Sequence, residues 1–281
     1  FVTFTRNFEH PMIIDEFLDL RQDILIASKG QDGFIDEQTV LTETLPMMLD
    51  AKLVDSEDYN ESYILWEADD IKLNGYAINE SGERLQLFII DETFVVEQLE
   101  RDELLISEKV HYEKALKRVT KFVRSAILGT LKENLQDSDP AKSLVVKLGS
   151  PESLEQFDVI EIFLVTLSAS VSRRGLELQP RDIYFERETQ KFNQQINGVN
   201  KKKEIMILQR VIDLNFIHNV NTSRGNREPL IINFKHDFDM SVEVIKAAGE
   251  NNFESYLCVF SADILSDLYK LHSSRLLEKN V

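Results

Sequence analysis

The sequence predicts an α/β chain, in the α+β sense, built on a mixed central sheet flanked by helices. Three observations predict it. The runs Leu85–Ile90 and Phe157–Ser170 are apolar and rich in β-branched and aromatic residues, as strands buried on both faces must be. Ser107–Gln136 carries apolar residues at helical spacing along its whole length. Strand-like and helix-like stretches are interspersed along the chain, which places helices around a sheet.

Taken in order, Ile13–Ser28 spaces Ile14, Phe17, Leu18, Ile24 and Leu25 for one helix face, with Asp15 and Glu16 at its start. Gly30–Gly33 ends it. Asp36–Leu53 reads as a second helix, kinked or stopped at Pro46. Ser62–Glu67 reads as a strand. A hairpin follows: Leu73–Ile78 enters, Asn79–Glu83 turns, and Leu85–Ile90 leaves. Thr93–Leu105 connects to the long helix. A short apolar segment around Leu144–Leu148 precedes the second buried strand, which Arg173-Arg174-Gly175 ends. Asp182–Glu186 reads as a short strand, and Glu204–Ile217 as a strand turning into a helix. Pro229–Phe234 and Asn251–Phe260 are strand-like, and Ala262–Lys279 is an amphipathic helix.

The net charge of -17 argues against a general nucleic-acid surface, which needs clustered cations to displace counterions. Contact with nucleic acid would fall to Lys114, Lys117, Arg118, Lys121 and Arg124, on one flank of the long helix, or else that flank is simply solvated. The single Cys258 reads as a small buried apolar residue and allows no disulfide framework. No segment has the length and apolarity of a membrane span and no signal peptide precedes the first helix, so the expected location is cytoplasmic. The absence of an initial Met and the stop inside a helical pattern suggest a piece of a longer protein. Neither GxGxxG nor GxxxxGK occurs, and His10, His111, His218, His236 and His272 lack zinc spacing.

The hairpin remains as the candidate site. A two-strand nuclease site takes one carboxylate from each strand and a lysine two residues after the second, with Mg²⁺ polarising the phosphate and activating a bound water. Here Asn74 stands at the first position, Ile89 at the second carboxylate and Asp91 at the lysine. The candidate catalytic residues are therefore Asn74, Asp91 and Glu92, in a degenerate arrangement. Asp70, Glu80 and Asp91 would form a displaced metal set, or the acids mark a strand end meeting solvent.

The run Phe253–Val281 resembles a segment of the abortive phage infection, or phage-resistance, family. Its matching pieces are Ser255-Tyr256-Leu257, Leu268-Tyr269 and Arg275–Val281. Gln209–Leu214 is similar to that family's strand-to-helix step, and Asn74–Glu92 resembles its restriction-endonuclease-like hairpin. The resemblance implies a bacterial host-defence protein with a fold similar to the PD-(D/E)xK nucleases, to which the sequence reading adds a second, smaller α/β part. In members that look active the hairpin holds Asp, then Glu or Gln, then Lys, and Asn74, Ile89 and Asp91 each depart from that pattern.

Three readings stand. The first is a catalytically degenerate, nuclease-like interaction domain that meets a protein partner or phage component and its own C-terminal region, with no cofactor. The second is an Mg²⁺-dependent nuclease with a displaced site, acting on DNA or RNA. The third is a structural domain. The expected organisation is a nuclease-like part over 1–172, a second α/β part over 173–262, and from 263 to 281 the start of a helix leading into a further region.

Overall fold

The computed structural model describes residues 12–91, 104–174, 176–180, 183, 185, 188–196, 198–222, 234–250, 253–259 and 261–272. The chain divides into two compact units, Phe1–Glu228 and Pro229–Val281.

The first unit begins with helices α1 (Ile14–Ala27) and α2 (Glu37–Asp50). Asp36 caps α2 by accepting from the Gln38 and Thr39 amides, which satisfies two of the free N–H groups of its first turn. Pro46 lies inside α2 without ending it. Strands β1 (Asn60–Trp66), β2 (Ile71–Ile78) and β3 (Arg84–Ile90) form an antiparallel meander. Gly82 in the β2–β3 turn takes φ 78°, a conformation glycine enters without steric cost.

Helix α3 (Lys109–Ile127) is shorter than its apolar pattern predicts. Gly129, at φ 78°, ends the helix early, and Leu131 and Leu135 continue into the core from the irregular segment that follows. Helices α4 (Lys142–Gly149) and α5 (Pro151–Leu154) lead into β4 (Val159–Thr166). A small hairpin, β5 (Val171–Arg174) with β6 (Glu177–Pro180), stands beside the main sheet. Strands β7 (Glu188–Ile196) and β8 (Val199–Asp213) and helix α6 (Leu214–Asn221) close the unit.

The main sheet has the order β1-β2-β3-β4-β8-β7. Strands β3, β4 and β8 run parallel, and the outer pairings are antiparallel, so the sheet is mixed. Every residue of β3 and β4 is buried, as expected for strands covered on both faces. Alternate side chains feed two cores. Leu73, Leu87, Ile89, Ile162 and Leu164 pack with Tyr112, Phe122 and Leu144 beneath α3 and α4. Phe88, Ile90, Phe163 and Val165 pack with Phe17, Leu41, Met48 and Ile217 beneath α1, α2 and α6. The result is a helix–sheet–helix sandwich.

The second unit contains α7 (Phe234–Phe238), the hairpin of β9 (Val244–Glu250) with β10 (Phe253–Cys258), and α8 (Ala262–His272). Cys258 is exposed, which corrects the expectation of burial: it ends a two-stranded hairpin in which Val244, Ile245 and Leu257 are exposed as well. The expected strand at Pro229–Phe234 lies outside the described residues except for Phe234, which opens α7. Of the Asp182–Glu186 strand only Ile183 and Phe185 are described, and neither is in a strand.

Candidate functional site

The β2–β3 ladder runs from Ile78↔Leu85 to Gly75↔Phe88. Beyond Gly75, side chains of β2 take over the backbone of β3. Asn74 Oδ1 accepts the Ile90 amide at 2.9 Å, and Lys72 Nζ donates to the Ile90 carbonyl at 3.2 Å. Both side chains then converge on Glu37, the first residue of α2. Lys72 Nζ lies 2.7 Å from Glu37 Oε1, and Asn74 Nδ2 lies 2.8 Å from Glu37 Oε2. The Asp36 cap fixes the first turn of α2 and with it the direction of Glu37. Gln38 adds a bond from Nε2 to the Asn74 carbonyl at 3.1 Å, and Tyr59 holds Gln38 Oε1 at 3.2 Å.

Lys72 and Asn74 are fully buried, whereas the Glu37 side chain is 18% exposed. A buried ammonium is costly unless paired, and Glu37 is its counter-ion at the solvent edge. Gly75 next to Asn74 permits close approach: a Cβ there would lie 2.6 Å from the Tyr59 ring.

A second polar cluster lies at the carboxyl ends of the parallel strands, on the α3 side. Asp91 Oδ2 accepts from Thr166 Oγ1 at 3.1 Å. Thr166, Ser168, Tyr112 and Ser170 continue as a run of hydroxyl contacts of 2.8–3.1 Å. The run reaches Asp213, which accepts from the Ser170 amide and caps α6 through the Phe216 amide. Burial pushes the Asp213 carboxyl up to about 6, against the backbone bonds that favour its ionised form. Burial also raises the Tyr112 phenol.

The structure does not bring Asn74 and Asp91 into one constellation. Asn74 meets Glu37 on the α2 face, whereas Asp91 meets Thr166 in the cluster reaching Tyr112 of α3. Residues of β3 that share Asn74's face are Phe88 and Ile90, while Ile89 points into the opposite core. Asp70, Glu80 and Asp91 are likewise apart. Asp70, at φ 53°, pairs with Arg118 and Lys121 at 3.5 and 3.1 Å, and Glu80 lies in the turn at the far end of β2. Glu92 lies outside the described residues. Among the described residues no group of three or more His, Cys, Asp or Glu side chains is placed to hold a metal ion.

On α3, Lys114, Lys117, Lys121 and Arg124 are exposed, but Arg118 is buried and turned to Asp70. Lys117 and Lys109 both approach Glu113, so acids are interleaved with this flank. Sequence reasoning singled out Asn74 and missed Glu37 and Lys72. The available signal was the polar pair Lys72 and Asn74 on one face of an otherwise apolar strand.

Among the described residues no helix is long and apolar enough to cross a membrane. No curated protein and no solved structure matches the chain. A family model described as the abortive infection phage resistance protein N-terminal domain matches residues 48–186, which include the hairpin, α3 and β4. Over those residues the chain therefore carries the N-terminal domain of the abortive infection phage resistance proteins.

Proposed function

We propose that the first unit is a nuclease-like domain, of the restriction-endonuclease or PD-(D/E)xK kind, that has lost catalysis and serves a phage-resistance protein as an interaction domain. One observation carries this reading. On the face of β3 that Asn74 shares, Phe88 and Ile90 stand where a carboxylate and a lysine would be needed, and both belong to the core beneath α2. Such a nuclease holds Mg²⁺ between carboxylates from two strands, and the residues here do not fit that ion. Asn74 is neutral, and its amide is engaged at both ends by Glu37 and the Ile90 amide. A fold carries no chemistry without its site. The mixed sheet with helices on both faces supports the nuclease-like ancestry, and the net charge of -17 favours a protein partner over nucleic acid.

The test is incubation of the protein with DNA and RNA in Mg²⁺ or Mn²⁺, with Asp91→Ala alongside. The expected result is no cleavage by either protein. Cation-dependent cleavage abolished in Asp91→Ala would establish the displaced-site nuclease instead and make Asp91 a metal ligand.

A further inference from the structure

Where β2 and β3 part, three oxygens surround the Lys72 ammonium and the Asn74 amide nitrogen. Glu37 offers its carboxylate and Ile90 its carbonyl, with Asn74 Oδ1 alongside on the Ile90 amide. A carboxylate and a backbone carbonyl converging at the edge of a core are ligands suited to a hard cation. The cation held there is the ammonium of Lys72, 1% exposed, at 2.7 Å from Glu37 Oε1 and 3.2 Å from the Ile90 oxygen. Lys72 comes from the strand that supplies Asn74, so one strand brings both the positive charge and the neutral amide.

We propose that the Lys72 ammonium is a built-in cation, standing where a nuclease-like domain would hold a divalent metal ion. This rests on the nuclease-like reading of the fold and explains its silence at the level of charge. A side chain already neutralises the Glu37 carboxylate and binds the Ile90 carbonyl. A divalent ion would have to displace a buried ammonium already paired with Glu37 and bonded to the Ile90 carbonyl. The asparagine follows from the same arrangement. Beside a fixed single positive charge one carboxylate is balanced, and a second would be in excess, so position 74 is filled by a neutral group of similar shape. The domain thereby keeps the strand geometry of a metal site without needing metal.

The experiment removes the built-in cation and offers an external one. Full-length wild type, Lys72→Ala and the double variant Lys72→Ala/Asn74→Asp are melted with and without millimolar Mn²⁺, and Mn²⁺ binding is followed by electron paramagnetic resonance. The wild type should show neither a thermal shift nor bound Mn²⁺. Lys72→Ala should melt lower and recover several degrees with Mn²⁺, and the double variant should bind Mn²⁺ at least tenfold more tightly than wild type. Asn74→Asp alone, which removes no packing, should bind none because Lys72 remains. Mn²⁺ bound to Asn74→Asp alone would overturn the proposal, since the ion would then fit beside the ammonium. So would a double variant, folded or not, that Mn²⁺ neither binds nor stabilises. Metal-dependent cleavage by the wild type would defeat the silent-domain reading separately, whatever the variants bind.

Discussion

Asp213 connects three parts of the first unit through one carboxylate. It ends β8, caps α6 and accepts the Ser170 amide beyond β4. Its carboxyl is raised from 3.8 to about 6 by burial, so the folded chain holds a proton there that the unfolded chain releases. The contribution to stability is therefore fully present below pH 3.8 and is lost as pH rises through about 6. The span corresponds to about 3 kcal/mol. Asp213→Asn should lose this part of the pH dependence, read as the wild-type-minus-variant difference in urea unfolding free energy across that window. A difference that does not change with pH would disprove the account. Lys72 and Glu37 are a different case. Neither was legible as a site from the sequence, because their meeting joins a helix start to a strand far along the chain. A buried lysine looks the same in sequence as an exposed one. Asn74 was legible because an amide inside an apolar hairpin breaks the pattern of its strand.

At the scale of elements, legibility followed burial. β3 and β4, covered on both faces, announce themselves as continuous apolar runs. β7, with the sequence Glu-Thr-Gln-Lys-Phe-Asn-Gln-Gln-Ile, has a polar composition at the sheet edge, and only its pairing to β8 makes it a strand. β5, β6 and β9 were missed for a related reason, being short or lying in hairpins outside the main sheet. α3 was read too long because Leu131 and Leu135 keep the apolar rhythm after Gly129 has ended the helix. The pairing of β1 with β2 depends on one missing side chain. Gly75 faces the Tyr59 ring and lies 3.0 Å, measured from its would-be Cβ, from the Asn60 carbonyl. Gly75→Ala should cost about 1–3 kcal/mol by overpacking. Combined with Tyr59→Ala it should cost less than the sum of the two single changes, because the ring clash disappears. Strict additivity in chemical denaturation would show that the ring is not the obstacle.

At the scale of the molecule, the buried residues of both cores, among the described residues, belong to the first unit. The second unit contributes Leu268 as a fully buried apolar side chain, while Ile245, Leu257 and Leu265 are exposed. A fragment ending at Glu228 should therefore unfold cooperatively with a thermal midpoint close to that of the whole chain. A broad, non-cooperative melt would mean that the first unit depends on the second. The strand order also governs how the chain reaches its fold. β1, β2 and β3 can pair as soon as they are made, but Arg84 must wait for Val159, and Val159 in turn for Met206. During synthesis the β3 edge, with Leu87, Phe88, Ile89 and Ile90, stays unpaired until residues far downstream have emerged from the ribosome. Pairings this distant in sequence form slowly, and an open apolar edge is a template for pairing with other chains. The order that builds a fully buried central strand thus also leaves the nascent chain with an apolar edge open to mispairing until β4 arrives.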